Sequence, residues 1–371
     1  MIKFSKTKTL SRYISAISCL FLMTGSAWAG EGKGVTLGGV MEEVADFADE
    51  KVFFLVPIPG TDIEVPFVLV MLSVSALFLT VFFGFINIRG LGKSIRTIKG
   101  KYSSKDDPGE ITHFQALSAA LSATVGLGNI AGVAIAISIG GAGATFWMIV
   151  CGLLGMTTKF CECTLGVRYR DIDENGKVYG GGMYYLSKGF SELGVPVIGK
   201  ILAVIFAVAC VFGSFGAGNM FQGNQAFEQM VAVSGGADSW FIGKGWLFGV
   251  LLAVAVGAVI IGGIKSIGKV TSKLVPFMCG IYVVCALYII FSHFSEIPMA
   301  VKSIIDGAFS MDAGIGGLIG VLIQGVKRAS FSNAAGFGSA PIAHSAVKTR
   351  KAASEGYVAL LEPFIDTVVI C

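Results

Sequence analysis

The strongest constraint on this chain is a succession of eight apolar segments, at approximately 66–88, 114–137, 145–167, 197–221, 246–263, 274–292, 313–346 (interrupted) and 354–371. Crossing a hydrocarbon layer about 30 Å thick takes about 20 apolar residues in a helix. Lipid offers the backbone no hydrogen-bond partners, so a span must satisfy its own, as a helix does. Composition points the same way: 54% of the 371 residues are hydrophobic and 14% are charged, whereas a soluble domain carries about 25% charge. That little charge cannot cover soluble cores of this total length, and the apolar content excludes a disordered chain. No run of Lys and Arg interleaved with aromatics forms a nucleic-acid surface. The sequence therefore predicts an all-α polytopic membrane protein.

Cysteines 19, 151, 161, 163, 210, 279, 285 and 371 mostly lie inside apolar segments, which argues against a disulfide framework. Cys161 and Cys163 have the wrong spacing for a zinc knuckle, and His113, His293 and His344 are scattered. No resident cofactor is implied.

Lys3, Lys6, Lys8 and Arg12 precede a short apolar stretch from Tyr13 to Met23, and Ala27-Trp28-Ala29 follows. A basic head, a greasy centre too short to span and an A-x-A exit describe a secretory signal peptide over 1–29. A periplasmic segment over 30–65 would follow, and then a transmembrane domain over 66–371 made of one anchor span and seven core spans. With the mature N-terminus outside, the loops expected inside carry Arg89, Lys93, Arg96, Lys99, Lys101 and Lys105, then Arg168, Arg170 and Lys177. Later inside loops carry Lys265, Lys269 and Lys273, then Lys348, Arg350 and Lys351. Outside loops at 138–144, 223–245 and 293–312 hold Lys244 and Lys302 against Glu228, Asp238, Glu296, Asp306 and Asp312. This is the positive-inside pattern of a bacterial inner-membrane protein.

Two spans contain helix-breaking clusters. The first core span holds Thr124-Val125-Gly126-Leu127-Gly128-Asn129-Ile130-Ala131-Gly132, and the sixth holds Ser330-Phe331-Ser332-Asn333-Ala334-Ala335-Gly336-Phe337-Gly338-Ser339-Ala340-Pro341. An interior Gly costs about 1 kcal/mol of helix relative to Ala, and Pro341 removes a backbone donor. Asn-x-Ala-Gly occurs in both clusters, in spans that lie five apart and so cross in opposite directions. A lone Gly in a span signals close helix packing. Matched clusters holding an amide point instead to a transporter site near the bilayer midplane. An unwound turn exposes carbonyls that can replace water around Na⁺, and a half-helix N-terminus favours a carboxylate. Gly126-x-Gly128-x-x-Ala131 also fits a relaxed dinucleotide fingerprint, but no βαβ unit surrounds it. Gly92-Lys93-Ser94 lacks the first Gly of a phosphate-binding loop, since Asn87 stands there.

From about Thr112 onward the chain resembles the sodium:alanine (amino acid:cation) symporter family, bacterial carriers of alanine and glycine. The resemblance runs through GLGNIAGVAIAISIGGAG, FWM, GVRYRD with GGGMYY, GAGNMFQGNQ and GVKRASFSNAAGFGSAP. It implies a leucine-transporter-like fold, in which five-plus-five inverted repeats place two broken helices around substrate and sodium. Carried over by position, Asn129 is a sodium ligand through its side chain, Ser122, Thr124 and Val125 lend backbone carbonyls, and Ser332 is a second hydroxyl ligand. Gly126, Leu127 and Gly128 face the substrate carboxylate, Phe331 walls the pocket, and Asn219 and Gln222 line the same cavity. Lys327 and Arg328 stand just before the second break, either as a gate or carboxylate clamp or as vestibule residues paired with Asp366 or a phosphate. Three departures stand out: Ala142 replaces a Pro, Ile149 a Trp, and Ala334 the Glu of SNEAG. Loss of that Glu leaves one carboxylate fewer near the site.

Full members have eleven spans, so a chain that stops at Cys371 inside the seventh core span reads as C-terminally truncated, with an incomplete second repeat. The expected function is secondary-active symport of Na⁺, or of H⁺, with a small neutral amino acid, alanine or glycine, by alternating access. Na⁺ enters as coupling ion, the partners are substrate, ion and lipid bilayer, and the oligomeric state is left open. Rival readings are a channel or amino-acid sensor and, from another class, an intramembrane serine hydrolase with Ser339 as nucleophile and His344 as base.

Overall fold

The computed structural model describes residues 54–57, 64–104, 106–215, 219–310 and 314–371. The chain divides into two units, Met1–Leu55 and Val56–Cys371, and the second is described here. The expected signal peptide and nearly all of the expected periplasmic segment lie outside the described residues.

Among the described residues the strands are two or three residues long, and the rest of the ordered framework is helical. Apart from a single turn at Ile86–Arg89, the helices in chain order are α1 (Phe67–Phe82), α2 (Leu91–Ile98), α3 (His113–Thr124), α4 (Leu127–Gly140), α5 (Gly143–Arg168), α6 (Gly182–Glu192) and α7 (Pro196–Phe215). They continue as α8 (Phe221–Val233), α9 (Gly245–Ile260), α10 (Gly263–Ser292), α11 (Ile297–Phe309), α12 (Gly314–Asn333), α13 (Ala340–His344) and α14 (Ala352–Ala359). A turn at Leu361–Pro363 carries α14 into π-helical turns over Phe364–Ile370.

Helix α5 is the post around which the site is built. Its glycines let neighbours approach closely, as small residues do inside membranes. A Cβ at Gly152 would lie 2.8 Å from Thr367, one at Gly155 would lie 3.1 Å from Ala335, and one at Gly166 would lie 2.8 Å from Pro341. Both the broken sixth core span and the last helix are thereby seated on α5. Elsewhere the outward faces are apolar: Val204 and Phe212 on α7, Val254 on α9 and Tyr288 on α10 are more than 60% exposed. A soluble protein could not carry such a surface, whereas lipid solvates it.

The two broken spans run antiparallel and meet at one end of the bundle. Helix α3 opens with a reciprocal cap, in which Gln115 N–H donates to the Thr112 hydroxyl at 3.2 Å and Thr112 N–H donates to Gln115 Oε1 at 3.0 Å. Just before it, Ile111 pairs in parallel with Val347, which follows α13. Lys348 N–H donates to Ile111 O at 2.8 Å, and Glu110 N–H to Ala346 O at 2.8 Å. Arg170 closes this seam by donating to the carbonyls of Ser345, Val347, Pro108 and Thr349 at 2.6–2.9 Å. Burial draws its guanidinium below the usual pKa, and Glu355 acts in the opposite sense.

Helices cover each of the eight expected segments, with three differences. The segment expected at 197–221 ends as a helix at Phe215, and α8 begins at Phe221. The segment expected at 274–292 belongs to the 30-residue α10, which starts at Gly263. That helix is about 45 Å long, more than a bilayer's thickness, so Lys265, Lys269 and Lys273 sit on its first turns rather than in a loop. The outside segment expected at 293–312 holds α11, which packs on α5: Trp147 Nε1 donates to Ala308 O at 3.1 Å. By length and apolarity alone, three described helices and the bent α3–α4 pair qualify as spans. Helices α1 and α9, at 16 residues each, are apolar but shorter.

Candidate functional site

Both predicted breaks are present. Helices α3 and α4 are separated by Val125 and Gly126 and bent by 43°. Helix α12 ends at Asn333, and six residues with left-handed backbone at Ala334, Gly336 and Gly338 lead to α13. The breaks touch, since a Cβ at Gly128 would lie 3.4 Å from Ser332 Cα and 3.6 Å from Phe331.

At that contact the side chain of Asn129, 1% exposed, does two jobs. Its Oδ1 accepts Gly126 N–H at 2.8 Å and so closes the open start of α4. Its Nδ2 has four acceptors within reach: Asp366 Oδ1 at 2.8 Å, Asp366 O at 2.9 Å, Ser332 Oγ at 3.0 Å and Cys371 Sγ at 3.3 Å. Ser332 Oγ in turn donates to Asp366 Oδ2 at 2.8 Å, and Thr367 Oγ1 donates to the same oxygen at 2.9 Å. An amide nitrogen has two hydrogens, so acceptors outnumber donors around it. A buried carboxylate, a hydroxyl and a main-chain carbonyl thus converge on one point.

The remaining sequence-derived residues fall into three groups. Ser122 and Thr124 lie in the last turn of α3, where carbonyls have no intrahelical donor, and Val125 is the extended residue that ends it. Their own hydroxyls are spent locally, on Ala119 O at 2.6 Å and Ala120 O at 3.5 Å. Leu127 and Gly128 head α4, and the Gln222 amide lies about 3.7 Å from where a Cβ on Gly126 would be, so Gln222 reaches the first break. Phe331 is 42% exposed and lies against Gly128.

Three expectations are corrected. Asn219 is exposed and its side chain makes no hydrogen bond among the described residues, whereas the part-buried Gln222 reaches the first break. Lys327 is exposed, and Arg328, part-buried with Nε unpartnered among the described residues, does not reach Asp366. That carboxylate is held by Asn129, Ser332 and Thr367. Ser339 is exposed, while His344 is fully buried with Nδ1 2.5 Å from Glu355 Oε1. Five residues along, the imidazole is turned away from the serine, so no nucleophile and base pair exists.

Sequence reasoning did not place Asp366 in the site. It also missed Asn333, whose Oδ1 accepts Ala335 N–H at 3.0 Å and whose Nδ2 reaches Thr367 Oγ1 at 3.4 Å. A cavity of about 240 Å³ lies behind the second break, touching Leu72, Trp147, Cys151, Ser330 and Asn333. Its lining is almost wholly apolar and carries no charge to meet a zwitterion, which favours the junction at Asn129 as the polar site.

The sequence pattern of the sodium:alanine symporter family matches residues 58–371. The chain is 44% identical over 307 residues to the sodium/alanine symporter AgcS of Methanococcus maripaludis, covering 82% of this chain and 66% of that protein. It is 35% identical to the putative sodium/proton-dependent alanine carrier protein YrbD of Bacillus subtilis, covering 82% and 60%. It is 33% identical to the probable sodium/glutamine symporter GlnT of the same organism, again covering 82% and 60%. The chain thus spans two thirds or less of the length of these relatives.

Proposed function

The chain belongs to the sodium:alanine symporter family, and on that footing we propose that it serves secondary-active symport of Na⁺, or of H⁺ in its place, with a small neutral amino acid, alanine or glycine. The family is one of transporters rather than enzymes, and the apolar helices make this a multi-pass membrane protein. The inner membrane of a bacterium suits its charge pattern, and a leucine-transporter-like repeat suits its two antiparallel broken spans.

One observation carries the reading: the acceptor surplus at Asn129, Ser332 and Asp366, where the breaks meet. Oxygen atoms that outnumber donors in a buried place suit a small hard cation. Na⁺ would take Asp366 and Ser332, joined by Asn129 Oδ1 once the amide turns its oxygen from Gly126 N–H to the junction, with carbonyls from the end of α3 at Ser122, Thr124 and Val125. The substrate carboxylate would meet the first N–H groups of α4 at Leu127 and Gly128, where the helix dipole favours negative charge. Gln222 and Phe331 would bound the side of the substrate away from the cation. At low dielectric, cation and carboxylate attract strongly, so each raises the affinity for the other, and this mutual effect is the coupling.

Alanine uptake into proteoliposomes holding the complete protein tests this. Asp366→Asn and Asn129→Ala should each raise the half-saturating Na⁺ at least about tenfold, as expected for loss of a bond to a charged group. Unchanged Na⁺ dependence in both variants would sink the assignment.

A further inference from the structure

Five ionisable side chains outside the junction are joined end to end within the same bundle. His113 Nδ1, in the first turn of α3, contacts Glu355 Oε2 on α14. Glu355 Oε1 lies 2.5 Å from Nδ1 of His344, the last residue of α13. His344 Nε2 faces Glu362 Oε2 at 3.7 Å, and Glu362 Oε1 accepts from Lys159 Nζ of α5 at 2.9 Å. All five are at most 4% exposed. The Nε2 atoms of both histidines are buried without a hydrogen-bond partner among the described residues.

Among the described residues the charge balance is incomplete. With both imidazoles neutral, two carboxylates face one ammonium. Glu162, one turn along α5 from Lys159, adds a third carboxylate. Its Oε1 accepts Gly338 N–H at 3.2 Å, and its Oε2 has no partner among the described residues. The other titratable groups facing the cluster do not make up the deficit. Cys163 on α5 and Tyr185 on α6 can carry no positive charge, Arg170 is spent on four carbonyls, and Asp366 is a further acid. Uncompensated charge in a membrane interior is expensive. His344, lying between Glu355 and Glu362, is the group able to take up a missing proton.

We propose that His344, which shares Glu355 with His113 and faces Glu362, forms a proton-binding site distinct from the cation site, and that a cation arriving at Asp366 displaces a proton from it. The link follows from helix geometry. Glu355, Glu362 and Asp366 stand at i, i+7 and i+11 and so form one stripe of the last helix, with Asp366 one turn beyond the carboxylate that faces His344. A positive charge added at Asp366 disfavours an imidazolium nearby, and by reciprocity the proton weakens the cation. The displacement rests on the cation reading of Asp366, whereas the proton site does not.

The complete protein in weakly buffered detergent, titrated with NaCl against a choline chloride control, tests this with a pH-indicator dye and equilibrium ²²Na⁺ binding. The expected result is release of about one proton per bound Na⁺. The half-saturating Na⁺ should also rise by up to about tenfold for each unit by which pH is lowered while the site holds its proton. Glu355→Gln removes the charge that holds the proton, so it should keep Na⁺ binding while losing both the proton release and the pH dependence. If that variant does not fold, the wild-type titration decides alone. Na⁺ binding with no proton release and a pH-independent half-saturation would overturn the proposal and leave the cation site standing. Absence of Na⁺ binding at every pH would overturn the cation reading and the displacement with it.

Discussion

Asn129 and Asn333 use the same chemistry at the two breaks in different settings. Each gives its amide oxygen to a backbone N–H of its own break: Asn129 reaches back to Gly126, and Asn333 reaches forward to Ala335. Each turns its NH₂ toward the last helix, to Asp366 at 2.8 Å and to Thr367 at 3.4 Å. The first break, however, is two residues long, and Val125 and Gly126 keep φ of −75° and −175°, which any residue adopts. The second is six residues long and needs φ of +48°, +93° and +74° at Ala334, Gly336 and Gly338. Neighbours hold that shape, with Glu162 on the Gly338 N–H and Phe206 against Gly338. A helix can thus be opened by one capping side chain where the backbone stays relaxed. A wider opening has to be imposed by tertiary contacts.

The sharpest way to break this comparison is to put the same methyl group into both breaks. Gly338→Ala forces an L-residue into the left-handed region, at about 1–2 kcal/mol. Its Cβ would also lie 2.8 Å from the Phe206 ring, and overpacking of that kind adds about 1–3 kcal/mol. Gly126→Ala meets nothing closer than Gln222 at 3.7 Å and should change stability by less than about 0.5 kcal/mol. Thermal unfolding in detergent should therefore show a large loss for the first and little for the second, and equal losses would erase the distinction. A smaller effect is expected of Glu162→Gln. The amide oxygen can still accept Gly338 N–H, and its NH₂ replaces an Oε2 that already had no partner among the described residues, so the loss should stay within about 1 kcal/mol. The same melting measurement checks it, and a gain in stability would mean that the carboxylate is not what holds the second break.

The breaks were readable in the sequence because Gly and Pro act locally, and Asn129 because an amide inside an apolar run needs a partner, whereas Ser332 was implied only by the resemblance to the family. Asp366 was assigned to the wrong partners, since nothing local shows that a residue 237 positions from Asn129 will meet it. A signal was nonetheless present. Three acids at i, i+7 and i+11 in the last apolar segment, Glu355, Glu362 and Asp366, must share one helix face. Arg170 was legible only as a positive loop residue, because the four carbonyls it binds belong to backbone that has no sequence signature. Ser339 and His344 show the opposite failure. Their spacing suggested a pair, but the strong acceptor for the imidazole lay on another helix.

A small gain is expected at the non-glycine residue of the second break. Ala334 holds φ of +48°, which costs an L-residue about 1–2 kcal/mol. Gly there would remove that cost but would gain more freedom in the unfolded chain, which takes back about 0.5–1 kcal/mol. Ala334→Gly should therefore stabilise the protein by up to about 1.5 kcal/mol, the difference between these two terms, seen as a small rise in the unfolding midpoint. Transport is the more informative readout. If the neighbours alone hold the second break, removing its strain leaves the half-saturating Na⁺ unchanged, because Ser332 and Asn333 stay fixed by Asp366, Thr367 and Ala335. If the half-saturating Na⁺ shifts while the protein melts higher, the strained backbone at Ala334 itself positions Ser332. The second break would then resemble the first in being set from within.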